Sequence, residues 1–154
     1  AKMSLEELYV NTKEIGASAF SGADISIGTL TIGEDVEVFG ESYYSTATSH
    51  EYNQFAATTI GKVCYDAKLA ELSYVVSTSS VETVYGMFRQ AKIGLLTIGE
   101  QVERIPEYLF DSAKMSLEEL YVNAKEIGAY AFSGTNISIG LLKSILVKII
   151  APLS

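Results

Sequence analysis

What this chain has little of narrows its chemistry first. Cysteine occurs once, at Cys64, which excludes an internal disulfide and any multi-cysteine metal site. Histidine also occurs once, at His50, with no Asp-x-His or His-x-x-x-His spacing around it; we expect a loop residue there, and no metal. Basic residues are scarce, 11 against 19 acidic ones for a formal charge of -8, so a nucleic-acid or anionic-membrane partner is not expected, because phosphate is gripped by clustered Lys and Arg. Glycine-rich phosphate loops are absent, since Gly33 and Gly99 stand singly at strand ends, outside any GxGxxG or GxxxxGK frame. The most apolar stretch, Ile137 to Leu153, is interrupted by Lys143 and Lys148 and falls short of the roughly 18 uninterrupted apolar residues that a membrane span needs. The opening residues, Ala1 to Glu7, have no apolar signal core and no methionine at position 1, so we read the chain as a piece excised from something longer.

What is present is a repeat. With 154 residues and 48% hydrophobic content there is enough apolar material for one domain core. Ala1 to Gly28 recurs as Ala113 to Gly140, differing only at Thr12/Ala124, Ser18/Tyr130, Ala23/Thr135 and Asp24/Asn136. Leu30 to Glu34 recurs as Leu96 to Glu100, an offset of 66, or three steps of 22. On that unit an aromatic ladder runs through Phe20, Tyr44, Tyr65, Phe88, Phe110 and Phe132. An apolar residue precedes most of them by five, as at Ile15, Phe39, Ile60, Ile105 and Ile127, and Gly16, Gly40, Gly61, Pro106 or Gly128 follows it directly. Such positions suit a turn with a fixed φ.

A second ladder runs through Leu8, Leu30, Tyr52, Tyr74, Leu96, Leu120 and Leu142, with Val10, Ile32, Gln54, Val76, Ile98, Val122 and Ser144 two residues later. Apolar residues two apart mark a short strand with one buried face. Gln54 and Ser144 break the pattern, and a loop is expected over Ser45 to Ser49. One coil of this size cannot bury its apolar side alone, so the coils must stack. The expected fold is an α/β solenoid of about six to seven coils of roughly 22 residues, with short parallel strands on one side and turns and short helical segments on the other.

The run Leu96-Thr97-Ile98-Gly99-Glu100-Gln101-Val102-Glu103-Arg104-Ile105-Pro106-Glu107-Tyr108-Leu109-Phe110, and Ile127-Gly128-Ala129-Tyr130-Ala131-Phe132-Ser133-Gly134, resemble the BspA-like, or Treponema-type, leucine-rich repeat. The match joins an LxI strand, a V-x-x-I-G turn and an aromatic at set spacing, over nearly the whole chain. The resemblance implies a curved solenoid, 1–154, as a single domain of a longer secreted or cell-surface adhesion protein. Its implied partner is a host or neighbouring-cell protein or glycan.

In a solenoid the outward row of the sheet is the natural contact surface. On the 22-residue register that row holds Tyr9, Thr31, Asn53, Val75, Thr97, Tyr121 and Lys143, flanked by Glu7, Asn11, Glu119 and Asn123. Exposed tyrosine offers rigid area with a polar tip, although ordinary solvated strand positions would look the same. The paired carboxylates Glu6-Glu7 and Glu118-Glu119 are copies of one repeat position and read as a solvated rim. Cys64 aligns with Ala19, Tyr43, Met87, Leu109 and Ala131, which suggests a core or half-buried thiol. No nucleophile, base and orienter come together, so neither catalysis nor a cofactor is expected. A non-binding spacer is the alternative function. Uncapped end coils suggest end-to-end self-association.

Overall fold

The computed structural model describes residues 2–41, 49–73, 83–115, 119–122, 124–135, 138–141 and 148–149, with the side chains of 49, 119–122, 138–141 and 148–149 left aside. Its strands are β1 (Met3–Val10), β2 (Glu14–Ile15), β3 (Ile25–Ile32), β4 (Val38–Phe39), β5 (Ser49–Glu51), β6 (Thr59–Tyr65), β7 (Glu71–Leu72), β8 (Thr83–Tyr85), β9 (Lys92–Ile98), β10 (Arg104–Ile105), β11 (Lys114–Met115), β12 (Glu119–Val122), β13 (Glu126–Ile127), β14 (Ser138–Leu141) and β15 (Lys148–Ile149). The principal sheet is β1-β3-β6-β9-β11 and every described pairing is parallel. Short ladders β2-β4-β7, β10-β13-β15, β5-β8 and β12-β14 make the other sides. The chain is thus a stack of parallel-strand coils.

Register departs from a constant 22 residues. Leu8 lies opposite Leu30, but Leu30 lies opposite Val63 and Val63 opposite Leu96. The offset of 66 is therefore two steps of 33, and Tyr52 is not a rung of the sheet; Tyr74 lies outside the described residues. The two long coils hold the additional strands β5 and β8, which pair with each other. Near the end, Leu120 stands opposite Ile139 instead of the expected Leu142, while Ile127 and Ile149 keep an offset of 22.

The sheet strands are long because their apolar pattern runs Ile-Gly-x-Leu-x-Ile. In β3 the buried positions are Ile27, Leu30 and Ile32; in β6 Ile60, Val63 and Tyr65; in β9 Ile93, Leu96 and Ile98. Spacing of three and then two breaks simple alternation and requires a bend, which falls at Gly28, Gly61 and Gly94. A methyl group on Gly28 would lie 2.5 Å from the Glu6 carbonyl oxygen, and one on Gly61 or Gly94 would lie 2.7 or 2.6 Å from the carbonyl oxygen of Gly28 or Gly61. Close backbone approach, coil upon coil, is what demands glycine here. Gly61 accordingly belongs to the sheet and not to the turn column of Gly16, Gly40 and Gly128.

On the far side, no helix occurs among the described residues, and so none long and apolar enough to cross a membrane. The expected helical segments are tight turns around the aromatic. Ser18, Asn53, Tyr108 and Tyr130, two residues before it, and Ala57, Gln90 and Ser112, two residues after it, have φ between 51° and 63°. A left-handed residue ends any helical run at once. Gly16, Gly40 and Gly128 do not have positive φ; Gly128 is needed because a Cβ there would sit 2.5 Å from the Glu107 nitrogen.

The aromatic column passes through Phe20, Phe55, Phe88, Phe110 and Phe132, with successive ring centroids 5.4, 5.0, 4.9 and 5.6 Å apart and all pairs stacked. Phe55 fills the place expected for an earlier tyrosine. Tyr65 sits instead on β6, fully buried, with its ring edge-on to Phe110 at 6.4 Å. Tyr44 lies outside the described residues. Main-chain bonds lock the column: the amides of Phe20, Phe55, Phe88 and Phe110 donate to the carbonyls of Gln54, Met87, Leu109 and Ala131 at 2.8, 2.8, 3.2 and 2.8 Å.

Candidate binding surface

The outward face of the principal sheet follows from the same register. One row reads Tyr9, Thr31, Cys64, Thr97. Tyr9 is 64% exposed, Thr97 is exposed, and Thr31 and Cys64 are half-buried. A neighbouring row reads Glu7, Thr29, Lys62, Leu95, in which Leu95 is 48% exposed. A third reads Ser4, Ser26, Thr59, Lys92, Lys114, all exposed. The face combines one aromatic, one aliphatic, hydroxyls and lysines along a lattice of parallel strands.

Of the seven row residues expected from the sequence, the sheet brings together Tyr9, Thr31 and Thr97. Asn53 is not among them. It stands on the turn side, with φ 51° and its Oδ1 buried without a hydrogen-bond partner. Tyr121 lies on β12 opposite Gly140, and Val75 and Lys143 are outside the described residues. Sequence reasoning missed Cys64 as a row member because Ile60-Gly61 looks like the Ile15-Gly16 turn, although Ile27-Gly28 and Ile93-Gly94, each 33 residues away, show the true match. The thiol is half-buried as expected, but in the outward row.

Polar groups elsewhere serve the stack. Gln54, placed at an inward sheet position by the 22-residue register, is fully buried on the turn side, where its Nε2 donates to the carbonyls of Ile15 and Gly40 at 3.1 and 2.7 Å. It thereby ties two successive coils. Asn11 accepts from the Asp35 amide at 2.8 Å and donates to the Asp35 carboxylate at 2.9 Å, lying directly over Gly33; Asp66 lies over Gly99 in the same manner. His50 is on β5 and not in a loop. It is 5% exposed, with Nδ1 at 2.5 Å from Glu41 Oε1. Glu6 and Glu7 are both exposed.

On the turn side, Tyr108 and Tyr130 stack at 5.2 Å, and the Arg89 guanidinium lies 4.4 Å from the Tyr85 ring centroid. Burial pushes the carboxyls of Glu107 and Asp111 above their ordinary range, for Asp111 against the lowering influence of Ser112, Ser133 and Arg89. Burial, and then the charges of Tyr130, Glu107 and Asp111, raises the Tyr108 hydroxyl. Among the described residues no three of His, Cys, Asp and Glu converge as a metal site.

Parallel strands at a repeating register, a stacked aromatic column and a solvated sheet face define a leucine-rich-repeat protein. The model of the BspA-type leucine-rich repeat region matches residues 2–86 and 85–150 in six copies, and the chain belongs to that family. Repeats of this kind generally act as non-catalytic scaffolds for protein interaction. Neither a curated protein nor a solved structure matches the chain.

Proposed function

We propose that the protein is a secreted or cell-surface binding module that recognises a host or neighbouring-cell protein or glycan through the outward face of β1, β3, β6 and β9. Exposure of Tyr9 and Leu95 on a sheet whose other face buries Ile27, Leu30, Ile32, Ile60, Val63, Ile93 and Leu96 carries this reading. Large side chains left in water on a rigid platform are the kind that dominate contact surfaces. Surface display rests on the habit of the family, and adhesion would follow from it. Carrying Tyr9→Ser, Leu95→Ser and Thr97→Ala together should weaken binding to a responsive member of a panel of immobilised glycans and matrix proteins by about tenfold or more, as loss of one anchor of roughly 1.4 kcal/mol implies. The circular dichroism spectrum should not change. A full set of variants that binds like the parent would overturn the assignment of this face.

A further inference from the structure

The outward sheet face gathers positive charge in a chain whose formal charge is -8. Lys62 on β6, Lys92 on β9 and Lys114 on β11 are 30 and 22 residues apart in sequence, and nothing in that spacing marks them as neighbours. The register makes them so. Lys92 lies between Thr59 and Lys114 in one row, while Lys62, three residues beyond Thr59, lies opposite Leu95. With strands about 4.8 Å apart and a rise of about 3.3 Å per residue, the three Cα atoms fall within roughly 14 Å of one another. Lys92 and Lys114 are exposed and Lys62 is half-buried. Among the described residues none of the three forms an ion pair, whereas Lys13, Arg104 and Lys125 are each held by a glutamate. Like charges set directly across a strand pair destabilise a sheet, so the Lys92–Lys114 pair carries a repulsion that an anion lying on the face would relieve.

We infer that the outward face of β3, β6, β9 and β11 binds a linear sulfated glycan, with Lys62, Lys92 and Lys114 on its sulfates and Ser26, Thr29, Thr59 and Thr97 beside its sugar hydroxyls. This rests on the reading of the sheet as a contact face and names the chemistry of its partner. Lysine is a compact point charge without the planar fork by which arginine grips a carboxylate or phosphate in two places, and both arginines lie off this sheet; clustered point charges suit a dense row of sulfates. A protein partner would need contiguous apolar anchors at the centre of its interface, but Tyr9 and Leu95 stand three strands apart. Single-stranded nucleic acid would need aromatic platforms for its bases, and among the described residues no aromatic side chain joins the lysines in these rows.

Heparin is the probe, titrated into the whole chain at several salt concentrations, with uncharged dextran as the blank. Heparin should bind and dextran should not. The slope of log affinity against log salt should be about -2, from roughly 0.7 per lysine by the counterion release known for flexible polyanions. Lys62→Gln, Lys92→Gln and Lys114→Gln together should weaken binding by about tenfold or more and flatten that slope, with circular dichroism unchanged; Lys92→Gln with Lys114→Gln serves if the half-buried Lys62 is needed for folding. Lys13→Gln, Lys68→Gln and Lys125→Gln together shift the net charge equally and should change affinity by less than about twofold, since distant surface charges are screened. Absence of heparin binding would overturn the inference, and so would equal losses in the two triple variants. Polyglutamate or single-stranded DNA binding as tightly as heparin would overturn it too, by showing an unselective anion patch. Should heparin fail while a matrix protein or neutral glycan is held through Tyr9, Leu95 and Thr97, the contact face stands and the sulfated partner alone falls.

Discussion

Gln54 joins two coils through one amide, and its replacement reads out how much a buried polar tie contributes. Gln54→Leu leaves the Gly40 carbonyl without its donor inside the stack, while the Ile15 carbonyl keeps the Gly40 amide at 2.9 Å. We expect a loss of about 1–3 kcal/mol in urea unfolding, the penalty of an unsatisfied buried group; an unchanged midpoint would mean that water takes over the role. Gly94 poses a steric counterpart. Gly94→Ala places a methyl 2.6 Å from the Gly61 carbonyl oxygen and should cost roughly 1–3 kcal/mol by forcing coils apart. The same substitution at Gly16, which faces open space, should cost nothing measurable. Glu107 and Asp111 set a pH dependence. Both carboxyls have folded-state values raised by burial above 4.5 and 3.8, so the folded state holds their protons more tightly than the unfolded chain. Their contribution is complete below the ordinary carboxylate range and is lost as pH rises through the raised values. Melting temperature should fall as pH climbs from the carboxylate range toward neutrality, and Glu107→Gln with Asp111→Asn should flatten that slope; an unaltered slope would assign it to the net charge of the chain instead.

Among the elements, the phenylalanine column bears most on stability because each inner ring, Phe55, Phe88 and Phe110, packs between two others. Phe110→Ala, in the interior of the column, should cost on the order of 3–5 kcal/mol, and Phe20→Ala, where the ring is half-buried, clearly less. Equal losses would show that the rings do not act as a stack. The column was legible in the sequence at Phe20, Phe88, Phe110 and Phe132, where a 22-residue step is kept or reached from a fixed turn. It was not legible at Phe55, since the two long coils each insert about half a repeat, and Tyr65 offered a plausible rung near the expected place. The better signal was Phe-x-x-Thr, present at Phe55/Thr58 and Phe132/Thr135, whose threonine hydroxyls donate back to the carbonyls of Phe55 and Phe132 at 2.7 and 2.6 Å. Turn geometry was hidden for a different reason. Left-handed backbone at Tyr108 and Tyr130 has no compositional mark, because stacking between coils, not residue preference, imposes it.

Across the whole molecule, stability is a sum of neighbour contacts, and a change of coil length alters which residues share a row without altering the core. That is why the inward Leu and Ile positions of β1, β3 and β9 could be read from periodicity, whereas the binding face could be read only in part: a step of 33 replaces Asn53 with Cys64 in the row of Tyr9, Thr31 and Thr97. Surface ion pairs follow the same rows, with Arg104 lying 3.7 Å from Glu71 and 3.8 Å from Glu126 across three coils, but exposed pairs of this kind contribute little. The placement of Val63 between Leu30 and Leu96 decides the register, and with it the composition of the outward face. Methyl-resolved nuclear Overhauser spectra of the full chain measure it directly. We expect Val63 to show cross-peaks to both Leu30 and Leu96; cross-peaks from Leu30 to the Tyr52 ring, with none to Val63, would contradict the stacking described above.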